Sequence, residues 1–93
     1  MTISYKDLFN LEGKTAIVTG ALGILGKKFC AGLAEFGAKV VVTDLDQEKT
    51  EHFANEISDR YHIKSLGIRC DVSSHEEVQT MVKRVVDSFG EIN

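Results

Sequence analysis

The spacing of apolar residues changes in a regular order along the first half of the chain. A short, partly β-branched run over 14–19 ends at a glycine and is typical of a buried strand. From Ile24 onward, apolar residues fall three and four positions apart, which predicts one face of a helix that ends at Gly37. A nearly continuous apolar run over 38–43 then predicts a second strand, covered on both faces as in a parallel sheet. The apolar face of the helix consists of Leu25, Phe29, Leu33 and Phe36.

The same alternation continues through the second half of the chain. Phe53 and Ile57 mark a weaker amphipathic helix over about 46–61. The segment 65–70 predicts a third strand, although it contains Gly67, and a glycine inside a strand weakens it.

The last helix has the clearest pattern. Ser73 and Glu76 predict a capping box at its start, and Gly90 predicts its end. Its apolar positions recur at helical spacing on one face, at Val78, Met81, Val82, Val85, Val86 and Phe89.

The order of the elements is therefore βαβαβα. Strands that alternate with helices predict an α/β fold with a parallel sheet and right-handed crossovers. The expected architecture is a Rossmann-like half of a doubly wound fold, with three parallel strands and flanking helices, ending before a fourth strand.

Composition narrows the class of protein. Hydrophobic residues make up 43% and charged residues 27% of the 93 positions, as in an ordinary globular domain, and no apolar stretch reaches the ~18 residues of a membrane span. The net charge of −3, without a basic run, gives no basis for binding nucleic acid or an anionic membrane. Because the N-terminus lacks the basic start and apolar core of a secretory signal, we expect a cytoplasmic protein.

The cysteines and histidines do not have the spacing of metal ligands. Cys30 and Cys70 are far apart and form no CxxC pair, so they are predicted to be reduced structural thiols. His52, His62 and His75 show neither HxxH nor HExxH spacing and are predicted to lie on the surface. We therefore expect no metal site.

Three glycines follow the first strand. Gly20 fits a tight turn, Gly23 fits close approach of a pyrophosphate to the backbone, and Gly26 fits close packing of the helix on the strand. The start of this helix would face the phosphates with free amides and a positive dipole end. Asp44 follows Gly20 by 24 residues, at the end of the second strand, where an acid can bind ribose hydroxyls. The alternative is a tight turn and an N-capping Asp without any ligand.

Longer stretches of the chain resemble a known family. "LEGKTAIVTGA", then Asp44, then "CDVSSHEEVQTMVKRVVDSFGEIN" are similar to the N-terminal part of a short-chain dehydrogenase/reductase, over about 9–93. The resemblance implies that residues 1–93 are the N-terminal part of a single dinucleotide-binding domain, with no second domain. It implies an oxidoreductase that transfers a hydride between a nicotinamide cofactor and a carbonyl or hydroxyl substrate. Family members usually form homo-oligomers, which we expect of the complete protein.

The resemblance also implies which residues bind the cofactor. Asp44, with Leu45 beside it, would lie at the adenosine ribose, and Asp71 with the backbone of Val72 would contact the adenine edge. Asp71 could instead be only a helix cap, although Ser73 fills that role better. The pyrophosphate would be bound by Thr19, Gly20, Leu22, Gly23, Ile24, Leu25 and Gly26.

The expected cofactor is NAD rather than NADP. The carboxylate of Asp44 accepts a hydrogen bond from a ribose 2′-hydroxyl but repels a 2′-phosphate. The neighbouring residues Ala21, Leu22 and Leu45 supply no cation to offset that repulsion.

The chain departs from the family in two respects. Its glycines read TGxxGxxG rather than TGxxxGxG, a spacing found in the epimerase and dehydratase branch, whereas the flanking segments resemble the shorter dehydrogenases. The family's Asn-Ala-Gly motif, catalytic serine and Tyr-xxx-Lys pair lie downstream of Asn93, and neither Tyr5 nor Tyr61 is followed four residues later by lysine. This chain therefore has no catalytic residue, and we expect it to be inactive alone. A non-catalytic nucleotide-binding fragment and an S-adenosylmethionine-binding module remain alternatives.

Overall fold

The computed structural model describes residues 10–90 and 92–93. Strands and helices alternate in the predicted order. They are β1 (Thr15–Thr19), α1 (Ile24–Glu35), β2 (Lys39–Asp44), α2 (Gln47–Tyr61), β3 (Ser65–Arg69) and α3 (His75–Phe89).

The three strands form one parallel sheet in the order β1-β2-β3. Val40 and Val42 point to a core that α1 and α2 cover, whereas Val41 points to the opposite core, which α3 covers. All three valines are fully buried, as the continuous apolar run predicts. The predicted α/β fold, a Rossmann-like half with three parallel strands, is confirmed.

Helix α1 does not bury the face that its large apolar residues predict. Leu25, Phe29 and Phe36 are 63%, 56% and 41% exposed, and the buried positions are Cys30 and Ala34. Helix α1 approaches the sheet so closely that small residues fill most of the contact, and of the predicted apolar face Leu33 alone packs against the core.

Helix α2 and β3 also pack closely. A Cβ atom at Gly67 would lie 2.4 Å from the carbonyl carbon of Thr50, so this glycine permits contact between helix and strand rather than weakening the strand. At the outer edge of β3, the Gln47 side chain donates from Nε2 to the Gly67 carbonyl (3.2 Å) and accepts from the Arg69 N–H (2.7 Å). Gln47 therefore occupies backbone groups that an edge strand would otherwise present to solvent.

The start of α3 differs from the prediction by one residue. Ser74, not Ser73, is the N-cap, and its Oγ accepts from the Glu77 N–H at 3.3 Å. The predicted box of Ser73 and Glu76 is wrong because Ser73 instead donates to the side chain of Asp71. The C-terminal end is as predicted, with Gly90 in the left-handed region at φ +87°.

The last residue lies beside β1. The Asn93 N–H donates to the Thr15 carbonyl, and the Asn93 Oδ1 accepts from the Thr15 N–H, both at 2.9 Å. Because the Lys14 carbonyl accepts from the Lys39 N–H of β2, the backbone groups of Thr15 point to the other edge of β1, where Asn93 lies. Within residues 10–90 and 92–93, no helix combines the length and apolar character needed to cross a membrane.

We expect Gln47→Ala to lower the free energy of unfolding by about 1 kcal/mol, because it removes the side chain that pairs with the edge of β3. Urea unfolding measures the change. The matched control is Gln79→Ala, an exposed glutamine on α3, which should change stability by less than about 0.5 kcal/mol. Equal effects of the two substitutions would contradict the role assigned to Gln47.

Candidate dinucleotide-binding site

The predicted binding residues meet at one edge of the sheet. The glycine loop, residues 20–23, follows β1; Asp44 ends β2; and Asp71 follows β3. Because the strands are parallel, all these segments lie at their carboxyl ends, where α/β proteins bind ligands.

The glycine loop is fixed against the end of β2. Gly20 adopts φ +62°, the left-handed conformation that a tight turn requires of it. The Gly23 N–H donates to the Gly20 carbonyl at 3.2 Å, and the Ala21 N–H donates to the Thr43 carbonyl at 3.1 Å. Since Ala21 is fully buried, the loop is part of the core at this point.

Gly26 and Gly23 differ in what surrounds them. A Cβ atom at Gly26 would lie 2.3 Å from the Gly20 carbonyl oxygen. The two atoms would overlap at this distance, so the backbone contact leaves no room for a side chain at position 26. A Cβ atom at Gly23 would meet the same oxygen at 3.4 Å, an ordinary distance. Packing within the chain therefore explains Gly26 but not Gly23, whose open side fits the approach of a ligand.

The start of α1 has free donors. Its N-cap, Gly23, supplies no side-chain hydrogen bond, and the first turn contains no acidic residue. Within the part of the chain that the structure describes, the N–H groups of Ile24, Leu25 and Gly26 have no acceptor. Amides at a positive helix end are a site for an anion, so this segment fits the pyrophosphate of a dinucleotide.

Asp44 connects the end of β2 to the glycine loop. Its Oδ2 accepts from the Leu22 N–H at 3.0 Å, and its Oδ1 accepts from the Leu45 N–H at 2.8 Å. A carboxylate has about four acceptor positions, so both oxygens can still accept from ribose hydroxyls.

Exposed apolar residues follow β2 and β3. Leu45 is 63% and Val72 58% exposed, although water is unfavourable for both. They lie after neighbouring strands and offer apolar surface on which a planar base can pack.

Asp71 is oriented by its own turn. Its Oδ1 accepts from the Ser73 Oγ at 2.6 Å and from the Ser73 N–H at 2.9 Å. These hydrogen bonds, the side-chain one first, lower the pKa of Asp71, and the positive charge of Arg69 adds a smaller effect. The group therefore remains a charged acceptor, suited to an amino donor such as that of adenine.

A cavity of about 740 Å³, here called the ribose-side cavity, opens between α1 and α2 beside Leu22, Asp44 and Leu45. Lys27 of α1 also lines this cavity, with Nζ 5.3 Å from the centre of the Phe53 ring. The charged residues that line it are Asp44, Asp46, Glu48, Glu56, Lys27 and Lys49.

The remaining candidate residues are Thr19, the two cysteines, the tyrosines and the histidines, of which His52 also lines the ribose-side cavity. Thr19 ends β1 with an exposed side chain beside the glycine loop. Both cysteines are buried free thiols, and burial raises the pKa of Cys30 to about 11. Tyr61 lies at the far end of α2, and Tyr5 lies outside the described residues. All three histidines are exposed, and the described part of the chain contains no group of residues arranged to bind a metal.

A parallel βαβαβα unit, with a glycine loop before its first helix and an acid at the end of its second strand, defines a Rossmann-type nucleotide-binding segment. The chain belongs to the short-chain dehydrogenase family, whose model, described as short chain dehydrogenase, matches residues 14–93.

Individual dehydrogenases and reductases are similar to the chain in sequence and in structure. The NADP-dependent mannitol dehydrogenase of Alternaria alternata is 36% identical over 91 residues, which are 95% of this chain and 34% of that protein. The NADPH-dependent 3-quinuclidinone reductase of Rhodotorula rubra superposes with a TM-score of 0.91 at 27% identity, over 100% of this chain and 35% of that one. An NAD⁺-bound xylitol dehydrogenase superposes with a TM-score of 0.82 at 32% identity, over 89% of this chain and 32% of that one.

The chain thus spans about a third of the length of the relatives it matches. The relatives also differ in cofactor, since two are named for NADP or NADPH and one is bound to NAD⁺. Family membership therefore establishes an oxidoreductase family that uses a nicotinamide cofactor, and it leaves the choice between NAD and NADP open.

We expect Ser73→Ala to raise the pKa of Asp71 toward its ordinary value, because the substitution removes the stronger of the hydrogen bonds to the carboxylate and keeps the backbone one. A carboxyl ¹³C NMR titration measures the shift. As the pH falls, Asp71 of the variant would become protonated at a higher pH than Asp71 of the unmodified chain. The reason is that the hydroxyl of Ser73 no longer donates to the carboxylate and so no longer stabilises its charged form.

Ser74→Ala is the matched control. It should leave the Asp71 titration unchanged but lower stability by about 1 kcal/mol, because it removes the N-cap of α3. If Ser74→Ala shifts the pKa of Asp71 and Ser73→Ala does not, the hydrogen bond from Ser73 is not what lowers that pKa.

Proposed function

We propose that this chain is the cofactor-binding N-terminal part of an NAD-dependent short-chain dehydrogenase, with residues 1–93 belonging to a single dinucleotide-binding domain. The complete enzyme would transfer a hydride between nicotinamide and a carbonyl or hydroxyl carbon of a small-molecule substrate. The proposal rests above all on Asp44, whose carboxylate stands at the end of β2 in contact with the glycine loop.

The pyrophosphate would be bound mainly by the free amides of Ile24, Leu25 and Gly26. The N–H groups of Leu22 and Gly23 already donate within the chain, so these residues would contribute the shape of the loop and the open side of Gly23. The loop turn at Gly20 and the exposed side chain of Thr19 would complete this part of the site, as the family resemblance implies.

The adenosine would occupy the ends of β2 and β3. Asp44 would accept hydrogen bonds from the ribose hydroxyls, and Leu45 and Val72 would supply apolar contact to the base. Asp71 would accept from the adenine amino group. When bound, the cofactor supplies the hydride chemistry, and the residues of this chain orient it.

The charges around the ribose-side cavity support NAD over NADP. Its four carboxylates outnumber its two lysines, so a 2′-phosphate would meet net negative charge. Lys27 and Lys49 reduce that repulsion without reversing it. Leu45, directly after Asp44, adds no cation.

For the complete protein, we further propose the position of the catalytic residues, the oligomeric state and the location in the cell, all from the sequence and its family resemblance. Its catalytic serine and Tyr-xxx-Lys pair would lie downstream of residue 93, and with them the groups that select the substrate. A homo-oligomer and a cytoplasmic location are expected for the same protein. An epimerase or dehydratase and an S-adenosylmethionine-binding module are not favoured, because the family model and the relatives are short-chain dehydrogenases.

Asp44→Ala should lower the ratio of NAD affinity to NADP affinity, and adding Leu45→Arg should invert the preference. A hydrogen bond to a charged group is worth roughly 1.5–3 kcal/mol, so NAD binding should weaken about 10- to 150-fold. Isothermal titration calorimetry with both cofactors measures each dissociation constant. If the unmodified protein binds both cofactors equally, or if Asp44→Ala leaves their ratio unchanged, Asp44 does not lie at the ribose.

The 93-residue chain alone should show no NAD-dependent turnover of alcohols or ketones, because it contains no Tyr-xxx-Lys pair. Absorbance of the reduced nicotinamide follows the reaction, with a complete short-chain dehydrogenase as the positive control. Reproducible hydride transfer that scales with the concentration of purified chain would falsify this expectation.

A further inference from the structure

We infer that Asp44 is also a positioning residue, which fixes the glycine loop in the shape that presents the amides of α1 to a pyrophosphate. This inference rests on the proposed function and extends it, because it assigns to Asp44 a contribution that does not pass through the ribose.

The loop has two attachments to β2. The Ala21 N–H donates to the Thr43 carbonyl, a backbone contact that any residue at position 43 can supply. The Leu22 N–H donates to Asp44 Oδ2 at 3.0 Å, and this contact requires the carboxylate side chain. The second attachment lies nearer to α1, immediately before the residue that caps it.

The residue that joins Leu22 to α1 makes only backbone hydrogen bonds, and its carbonyl accepts from the Lys27 N–H of the helix at 2.9 Å. Gly23 has no side chain, and its N–H makes a contact of 3.2 Å to the Gly20 carbonyl. Glycine is conformationally permissive, so a loop with Gly20 and Gly23 loses much entropy when it is ordered. A shift of Leu22 would be transmitted through Gly23 to the free amides of Ile24 and Leu25.

The carboxylate is itself fixed. Asp44 Oδ1 accepts from the Leu45 N–H at 2.8 Å, which orients Oδ2 toward Leu22. Since each oxygen retains acceptor capacity, contact with the loop and contact with a ribose are compatible. Asp44 thereby links the two parts of the site in one rigid unit.

A ligand without ribose hydroxyls separates the two roles. The probes are ADP and 2′,3′-dideoxyadenosine 5′-diphosphate, which keeps the adenine and the diphosphate. If Asp44 acted only on the ribose, Asp44→Ala would leave binding of the dideoxy probe unchanged, or strengthen it by removing a negative charge near the diphosphate. Loss of loop positioning predicts the opposite sign, a weakening of about 5- to 30-fold by calorimetry.

Two further variants sharpen the test. Asp44→Asn keeps one acceptor oxygen and should weaken binding of the dideoxy probe less than Asp44→Ala. Glu48→Gln is the charge-matched control, because Glu48 lines the same cavity without contacting the loop. It should not weaken binding of the dideoxy probe.

Amide hydrogen exchange by NMR gives a second readout that needs no ligand. The Leu22 N–H should be protected in the unmodified chain and should exchange faster in Asp44→Ala. The amide of Val42, in the core, should keep its protection in the same variant, which excludes general loss of stability.

Undiminished affinity of Asp44→Ala for the dideoxy probe would overturn the inference, whether or not Leu22 loses protection. If the unmodified chain binds both probes, and Asp44→Ala binds both more weakly while Glu48→Gln does not, the inference is supported. If the unmodified chain binds neither ADP nor the dideoxy probe, the proposed function fails and the inference fails with it.

Discussion

The contact between the start of α1 and the turn after β1 determines much of this structure. A Cβ atom at Gly26 would lie 2.3 Å from the Gly20 carbonyl oxygen, so backbone meets backbone with no room for a side chain. This approach sets how close α1 lies to the sheet. It also places the free amides of α1 beside the carboxyl ends of β1 and β2, and the candidate site depends on that position.

The same closeness has a consequence for the rest of the helix. Small residues, Cys30 and Ala34, face the sheet, because larger ones would separate helix and strands. Leu33 still packs against the core, but Leu25 and Phe29 are left exposed by more than half of their surface. On the other side of the sheet, α3 buries Met81 and Val85.

The candidate site contains free N–H donors and carboxylate acceptors at separate positions, so both remain available to a ligand. Free amides at the start of α1 favour an anion, while Asp44 and Asp71 favour hydroxyl and amino donors nearby. Asp44 is oriented by two backbone N–H groups, and Asp71 by the N–H and the hydroxyl of Ser73, which limits the entropy lost when a ligand binds. A ligand that has phosphate, hydroxyl groups and a base in sequence matches this distribution, and a dinucleotide is such a ligand.

The order of the elements, the tight turn at Gly20, the close contact at Gly26 and the family can all be predicted from the amino-acid sequence. Those features follow from local periodicity and from residues with unusual backbone freedom, both of which can be seen without knowing what lies opposite. It did not determine which face of α1 is buried, that Ser74 rather than Ser73 caps α3, or that Lys27 lines the ribose-side cavity. Nor could it show that Gln47 pairs with the edge of β3 or that Asp44 binds the N–H of Leu22. These features follow from the tertiary structure, because most of them depend on the distance between segments that are remote in sequence, and the cap of α3 depends on the hydrogen bond by which Ser73 is already bound to Asp71.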